Sequence, residues 1–184
     1  MSAIDTSTFG PRLETERLIL RPPVEADFEP LAAAMQDEEN TRYIGGVQNP
    51  PQAWRGLMSI IGHWAVRGYG FFSVLEKDTG QWVGRVGPWN PHGWVQPEVG
   101  WTIARAHWGK GYASEAAAAS IDWAFDTLGW SEVIHLIDER NTGSIGVAKK
   151  LGSYHTGRQA EVAGFGMIVG VWGQTREEWR GRRG

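Results

Sequence analysis

The chain has 184 residues, 41% hydrophobic and 21% charged, which suits one ordinary domain able to bury a core without staples. It has no cysteine, which excludes disulfides, thiolate metal sites, iron–sulfur clusters and cysteine nucleophiles. With 18 basic and 21 acidic side chains the net charge is -3, so a basic footprint for nucleic acid is missing. The excesses are tryptophan, with 11 residues, and glycine, with 25, the latter against an average usage of ~7%. Met1 to Pro11 lacks a charged segment followed by an apolar one, so no secretory signal is visible. No apolar run approaches the ~18 residues of a membrane span, and a cytoplasmic location is the default expectation. Without linkers or internal repeats, the chain is expected to form a leading tail (1–12), a single domain (13–179) and a basic trailing tail (180–184).

In chain order, Leu18-Ile19-Leu20 is a short apolar run closed by Arg21-Pro22-Pro23, which predicts a strand. Asp27 to Gln36 has Phe28, Leu31 and Met35 at helical spacing. Pro51 to Val66 carries Trp54, Leu57, Met58, Ile61 and Trp64 on related helical faces, and Gly68 to Gly70 breaks it. Phe71–Glu76 and Trp82–Val86 flank the polar turn Lys77-Asp78-Thr79-Gly80 and predict a hairpin. Trp89 to Pro97, with its prolines and glycine, is read as a loop, and Glu98 to Ala104 as a strand. A glycine-bearing loop, Trp108 to Ser114, leads into an Ala-rich helix running to Leu128, with Gly129 as its stop. Glu132–Asp138 is the next strand, Asn141–Leu151 a helix stopped by Gly152, and Met167–Trp172 a late strand before a polar tail. The order predicts an α+β fold: a mostly antiparallel, mixed sheet flanked by helices, with one parallel crossover near the end.

The loop is the stretch that carries chemistry. A glycine-rich turn between a strand and a helix N-terminus gathers unpaired main-chain N–H groups, and the helix dipole adds partial positive charge. Gly109 and Gly111 let the backbone approach a phosphate without a Cβ in the way. A Walker A loop needs Ser or Thr after its lysine, whereas Lys110 is followed by Gly111. A dinucleotide fingerprint needs Gly or Ala where Ser114 sits, and it normally opens the first βαβ unit. Acyl-coenzyme A is the third ligand class that uses such a loop.

The run Trp108-Gly109-Lys110-Gly111-Tyr112-Ala113 resembles the pyrophosphate loop of the GNAT superfamily of N-acetyltransferases, particularly the branch containing the RimJ and RimL ribosomal-protein acetyltransferases. Trp108 stands where the wider family has Gln or Arg, a replacement frequent in that branch. Leu13 to Pro22 is similar to the branch's first strand, Glu98-Val99-Gly100-Trp101 to the strand before the loop, and Asn141-Thr142-Gly143-Ser144 to the opening of its last helix. The four matches come in the family's order and span about Leu13 to Trp179. The resemblance implies a β–loop–α–β unit whose main-chain N–H groups from Gly109 to Ser114 hold the pyrophosphate of acetyl-coenzyme A. It implies that the strand through Trp101 and Ile103 splays from the Glu132–Asp138 strand, freeing main-chain groups around Ile103 for the pantetheine arm and the thioester carbonyl. Lys110 is a candidate phosphate partner, and Asn141 a candidate pantetheine contact as well as a helix N-cap.

Acetyl transfer to an amine requires a neutral nucleophile. A lysine amine has a reference pKa of about 10.4 and an α-amine about 7.7–8.0, so a modest base suffices for the latter. Glu98 is the candidate base, because the family often places a carboxylate at the start of this strand. His107 is read as a structural residue of the loop. The tyrosine that often protonates the leaving thiolate in the family is Ala148 here, and Ser144 is the candidate acid instead, as in some members of the RimL branch. The five histidines show no ligand spacing, so no metal is expected. Trp54, Trp64, Trp82, Trp123 and Trp172 are assigned to the core, and Trp89 and Trp94 to an apolar acceptor wall; Trp130 and Trp179 suggest no role. The expected partners are acetyl-coenzyme A and an amine, a protein N-terminus or a small molecule. Nucleic acid and membrane are not expected, and homodimers are common in the family although the sequence marks no seam. The competing reading is a non-catalytic acyl-coenzyme A-binding or regulatory domain, prompted by Ala148 and Trp108.

Overall fold

A computed structural model describes residues 4–182; Met1 to Ala3, Arg183 and Gly184, which belong to the two expected tails, lie outside the described residues. The strands are β1 (Leu13–Glu14), β2 (Leu18–Arg21), β3 (Phe72–Glu76), β4 (Trp82–Trp89), β5 (Glu98–Ile103), β6 (Glu132–Ile137), β7 (Tyr154–Val162) and β8 (Met167–Thr175). The helices are α1 (Phe28–Gln36), α2 (Glu38–Thr41), α3 (Pro50–Arg67), α4 (Tyr112–Asp126), α5 (Thr142–Leu151) and α6 (Arg176–Gly181). All eight strands form one sheet in the order β1-β2-β3-β4-β5-β6-β8-β7. Every neighbouring pair is antiparallel except β5 and β6, which α4 connects as a parallel crossover. This is the expected α+β architecture.

The local causes are legible. In β2, Leu18 and Leu20 are fully buried while Ile19 and Arg21 are less so, the alternation of a half-covered strand. Asn49 and Gln52 form a capping box ahead of α3, with Pro50 in its first turn, and Gly68 ends the helix in the left-handed region at φ 74. Asn141 caps α5 through Ser144 N, and Gly152 closes that helix at φ 88. The centre of the core is an aromatic cluster in which Trp64, Phe72 and Trp123 have ring centroids 4.9, 5.4 and 5.8 Å apart. Such pairs stabilise by about 0.5–1.5 kcal/mol beyond area burial.

Several boundaries differ from expectation. β4 runs on to Trp89, because its ladder with β5 continues through Pro88↔Val99 and Trp89↔Glu98. Trp89 therefore ends a strand and does not belong to the loop. β7 was not expected at all: it is the sheet's edge strand, largely exposed, and its polar run lacks apolar alternation. The polar tail contains α6, held by a capping box between Thr175 and Glu178, with Trp179 buried beneath it. Trp54 is 37% exposed, in an edge-on contact with Phe28 at 5.1 Å between ring centroids, so it is not a core tryptophan. Among the described residues no helix is long and apolar enough to cross a membrane.

Candidate active site

The sheet opens where its one parallel pair separates. β5 and β6 share a single register contact, Glu98↔Ile134, with Ile134 N donating to Pro97 O at 3.1 Å. Beyond it the strands diverge, and side chains take over the orphaned main-chain groups. Leu136 N donates to Glu98 Oε1 at 3.1 Å, and His135 Nδ1 lies 2.6 Å from Val99 O. A carbonyl can only accept, so Nδ1 carries the proton and Nε2 accepts from Ser153 Oγ at 2.9 Å. His135 is 1% exposed, and burial lowers its pKa to about 4, so the ring is neutral at physiological pH.

On the other side, Ala104 N donates to Val83 O at 2.9 Å. By the alternation of an antiparallel ladder, Val99, Trp101 and Ile103 then turn their main-chain groups away from β4 and into the fork. The Ile103 carbonyl is already engaged, however: Trp108 Nε1 donates to it at 2.7 Å. What the fork leaves open at Ile103 is the N–H. Trp108 itself is 50% exposed, so its indole pins the loop to the strand end without entering the core.

The glycine loop lies at the mouth of this fork. Gly109 and Gly111 have φ of 76 and 82, a left-handed conformation that a Cβ would strain. Gly111 N and the first-turn N–H groups of Tyr112, Ala113 and Ser114 take no acceptor from the chain. Ser114 Oγ turns back onto Gly111 O at 2.9 Å, which fixes the start of α4. The Tyr112 hydroxyl donates to Glu76, which ties the start of α4 to the end of β3. The groove beside the loop has a volume of about 630 Å³ and is lined by Ile103, Trp108, Gly109, Gly111, Tyr112, Ala113, Ser114, Asn141 and Ser144 among others. Lys110 does not line it. Its Nζ lies 4.0 Å from Glu76 and 3.4 Å from His107 Nδ1. The groove's lysine and arginine side chains are instead Lys150, Arg140 and Arg42.

A second cavity of about 410 Å³ lies on the other side of Trp101, and both cavities are lined by Trp101, Thr102, Asn141 and Ser144. Glu98, Trp89 and Trp94 all line this second space. Glu98 is 7% exposed, and burial pushes its carboxyl up to about 7, opposed by the Leu136 N–H and by Trp94 Nε1, which donates to Oε2 at 2.8 Å. Trp94 is thus tied to the carboxylate itself. Trp89 is stacked between His63 and Phe71, with ring centroids at 4.5 and 5.1 Å. Between the cavities, Trp101 Nε1 donates to Ser144 Oγ at 3.3 Å, which leaves the hydroxyl proton free to point elsewhere. Asn141 Oδ1 accepts from Ser144 N at 3.0 Å, so its carbonyl is used for capping and its amide is left for other contacts.

Other residues of the site are not singled out by the sequence. The tip of the β7–β8 hairpin rests on the α2–α3 connection, where a Cβ on Gly45 would come within 2.8 Å of the Phe165 ring. Tyr43, Ile44 and Phe165 roof the second cavity in consequence. Arg85, in the middle of β4, also faces it, and a charge inside an apolar strand was the available signal.

Comparison with known proteins identifies the family. The family model described as Acetyltransferase (GNAT) domain matches residues 17–153. The uncharacterized N-acetyltransferase p20 of Bacillus licheniformis is 33% identical over 146 residues, covering 76% of this chain and 80% of p20. The crystal structure of an acetyltransferase from Agrobacterium tumefaciens str. C58 matches with a TM-score of 0.78 at 29% identity, covering 90% of this chain and 95% of that one. Mycobacterium smegmatis RimJ, solved in complex with CoA-disulfide, shares the fold with a TM-score of 0.67 at 18% identity, covering 88% of this chain and 83% of its own. With the matched segment running from β2 to the end of α5, and so through both walls of the fork, the chain belongs to the GNAT family of acetyltransferases.

Proposed function

We propose that the protein is an acetyl-coenzyme A-dependent N-acetyltransferase that moves the acetyl group to a primary amine by direct attack in a ternary complex. The observation that carries this reading is the meeting of two cavities at Trp101 and Ser144, one lined by the glycine loop and the other by Glu98. The N–H groups of Gly111 to Ser114 and the ammonium of Lys150 hold the pyrophosphate. The fork edge at Trp101 and Ile103 pairs with the pantetheine arm, and the Ile103 N–H faces the thioester oxygen, on which charge develops. Asn141 contributes its side-chain amide to the same arm.

Glu98, with its carboxyl near 7, takes a proton from the incoming ammonium, directly or through water, and passes it to solvent. The neutral nitrogen forms the N–C bond as the C–S bond breaks. The nitrogen's second proton reaches the departing sulfur by way of the Ser144 hydroxyl. Trp89 and Trp94 wall the acceptor, which is a protein N-terminus or a small-molecule amine. The test is isothermal titration with acetyl-coenzyme A together with thiol-release assays on a panel of amines. Binding plus turnover that falls in Glu98→Gln supports the reading. Absence of binding sinks it, and tight binding without turnover on any amine marks a non-catalytic acyl-coenzyme A-binding domain.

A further inference from the structure

Arg85 is a cation without a hydrogen-bond or ion-pair partner inside the proposed acceptor cavity. The β4–β5 register pairs Arg85↔Thr102, Gly87↔Gly100 and Trp89↔Glu98, which puts Arg85 on the same sheet face as Glu98. Both residues line the cavity of about 410 Å³. Gly87 and Gly100 lie between the two rows, and the Phe71 ring covers this glycine floor, within 3.1 Å of where a Cβ on Gly100 would stand. The guanidinium carbon of Arg85 stands 5.1 Å from the Phe71 ring centroid, and its Nε is fully buried without a hydrogen-bond partner. No hydrogen bond or ion pair reaches this guanidinium among the described residues. Burial lowers its pKa to about 10, which still leaves it charged at neutral pH.

The neighbouring carboxylates are committed elsewhere. Asp27 accepts from Arg21 through both oxygens at 2.8 Å and also from Val24 N and Ser73 Oγ. Glu98 accepts from Leu136 N and Trp94 Nε1. A guanidinium held against protein with no counter-charge is costly, and that cost is recovered when an anion arrives. Phe71 fixes its plane, and the guanidinium fork matches a planar carboxylate bidentately.

We propose that Arg85 is the specificity-determining residue for an amine acceptor that also carries a free carboxylate, an amino acid or short peptide, with its amine toward Glu98 and its carboxylate on Arg85. The proposal rests on the N-acetyltransferase reading and narrows it. The Cα atoms of the Arg85 and Glu98 rows are about 13 Å apart along the sheet, from four residues of strand rise, so the acceptor is bound at two ends with the Phe71 ring beneath its middle.

The test uses the full chain with saturating acetyl-coenzyme A and measures thiol release on amino acids and dipeptides, each supplied as the free acid and as the C-terminal amide. Matched aminoalkyl phosphonates form a third arm. The free acids are expected to have a kcat/KM at least tenfold above their amides, and Arg85→Gln is expected to erase that ratio while acetyl-coenzyme A still binds by titration. Since the charge has no hydrogen bond or ion pair to lose and methionine can still pack on Phe71, Arg85→Met is expected to melt no lower than the parent chain. The proposal is overturned if amides match or exceed the acids, if the preference survives in Arg85→Gln, if phosphonates are preferred to carboxylates, or if turnover appears only with amines that lack an anion. Failure of acetyl-coenzyme A to bind would instead overturn the N-acetyltransferase reading, so the two failures are distinguishable.

Discussion

The two sides of the fork are built by different means. The groove beside β5 and α4 offers mainly backbone: the N–H groups of Gly111 to Ser114, the main chain of Trp101 and the N–H of Ile103. The cavity beyond Trp101 offers mainly side chains brought from α3, β4, β5 and the β7–β8 hairpin, including Glu98, Arg85, Trp89 and Phe165. A backbone site is set by a few residues with special φ/ψ and tolerates change around them. A side-chain site changes its ligand with each substitution.

The sharpest way to break this contrast is at the loop. Gly111→Trp forces a side chain onto a φ of 82 at the N-cap of α4, adding about 1–2 kcal/mol of strain and obstructing charge-assisted bonds of ~1.5–3 kcal/mol each. Titration should show acetyl-coenzyme A affinity falling on the order of a thousandfold, about 4 kcal/mol. An affinity within tenfold of the parent chain would mean that the backbone is not the phosphate site.

The wedge residues of the fork give the next effects. His135 is neutral in the fold, with its pKa lowered from 6.5 to about 4. A lowered folded-state pKa means stability is present above pH 6.5 and lost as pH falls toward 4, by about 3 kcal/mol. His135→Gln should start less stable but show a shallower decline over that window in denaturant titrations. Glu98 has the opposite sign: its pKa is raised from 4.5 to about 7, so the fold loses stability as pH rises through that interval. Glu98→Gln should therefore gain on the parent chain between pH 4.5 and 8 while losing about 100-fold in kcat, the lower range for a general base. Its rate profile should also lose an inflection near pH 7; an unchanged profile would remove Glu98 from proton transfer.

The smallest effect concerns Ser144. A thiol with a reference pKa of about 8.5 leaves moderately well unaided, so Ser144→Ala should lower kcat by about tenfold and leave acetyl-coenzyme A affinity nearly unchanged. A matching loss of affinity would recast the hydroxyl as a binding group, which supports the groove through its 3.3 Å contact with Trp101 and does not act as an acid.

Much of the backbone side was legible in the sequence. Gly109, Gly111, the helix after them and the Asn141 cap are local features, each dictated by residues within a few positions of one another. The single-contact fork between β5 and β6 follows the expected splay, although Trp108 closes the Ile103 carbonyl that expectation left free. Lys110 shows the limit: its neighbours in sequence are the loop, but its charge answers Glu76, a residue from the β3 end of the sheet. β7 and α6 were missed because an exposed edge strand and a short capped helix leave no apolar period. Arg85 was visible as a charge between valines, yet nothing in the chain says that no carboxylate waits opposite it.

The tryptophan excess divides along the same line. Trp64 and Trp123 sit on helical faces whose burial the spacing already implied. Trp94 against Glu98, Trp101 against Ser144 and Trp108 against Ile103 O each spend an indole N–H on a specific site group. By itself the sequence determined the order of elements, the glycine loop and the family resemblance, because those rest on local φ/ψ demands and periodicity. Tertiary structure alone decided which charges are paired, which carboxyl is desolvated and which side chains line the second cavity, because burial and pairing arise between residues distant in the chain.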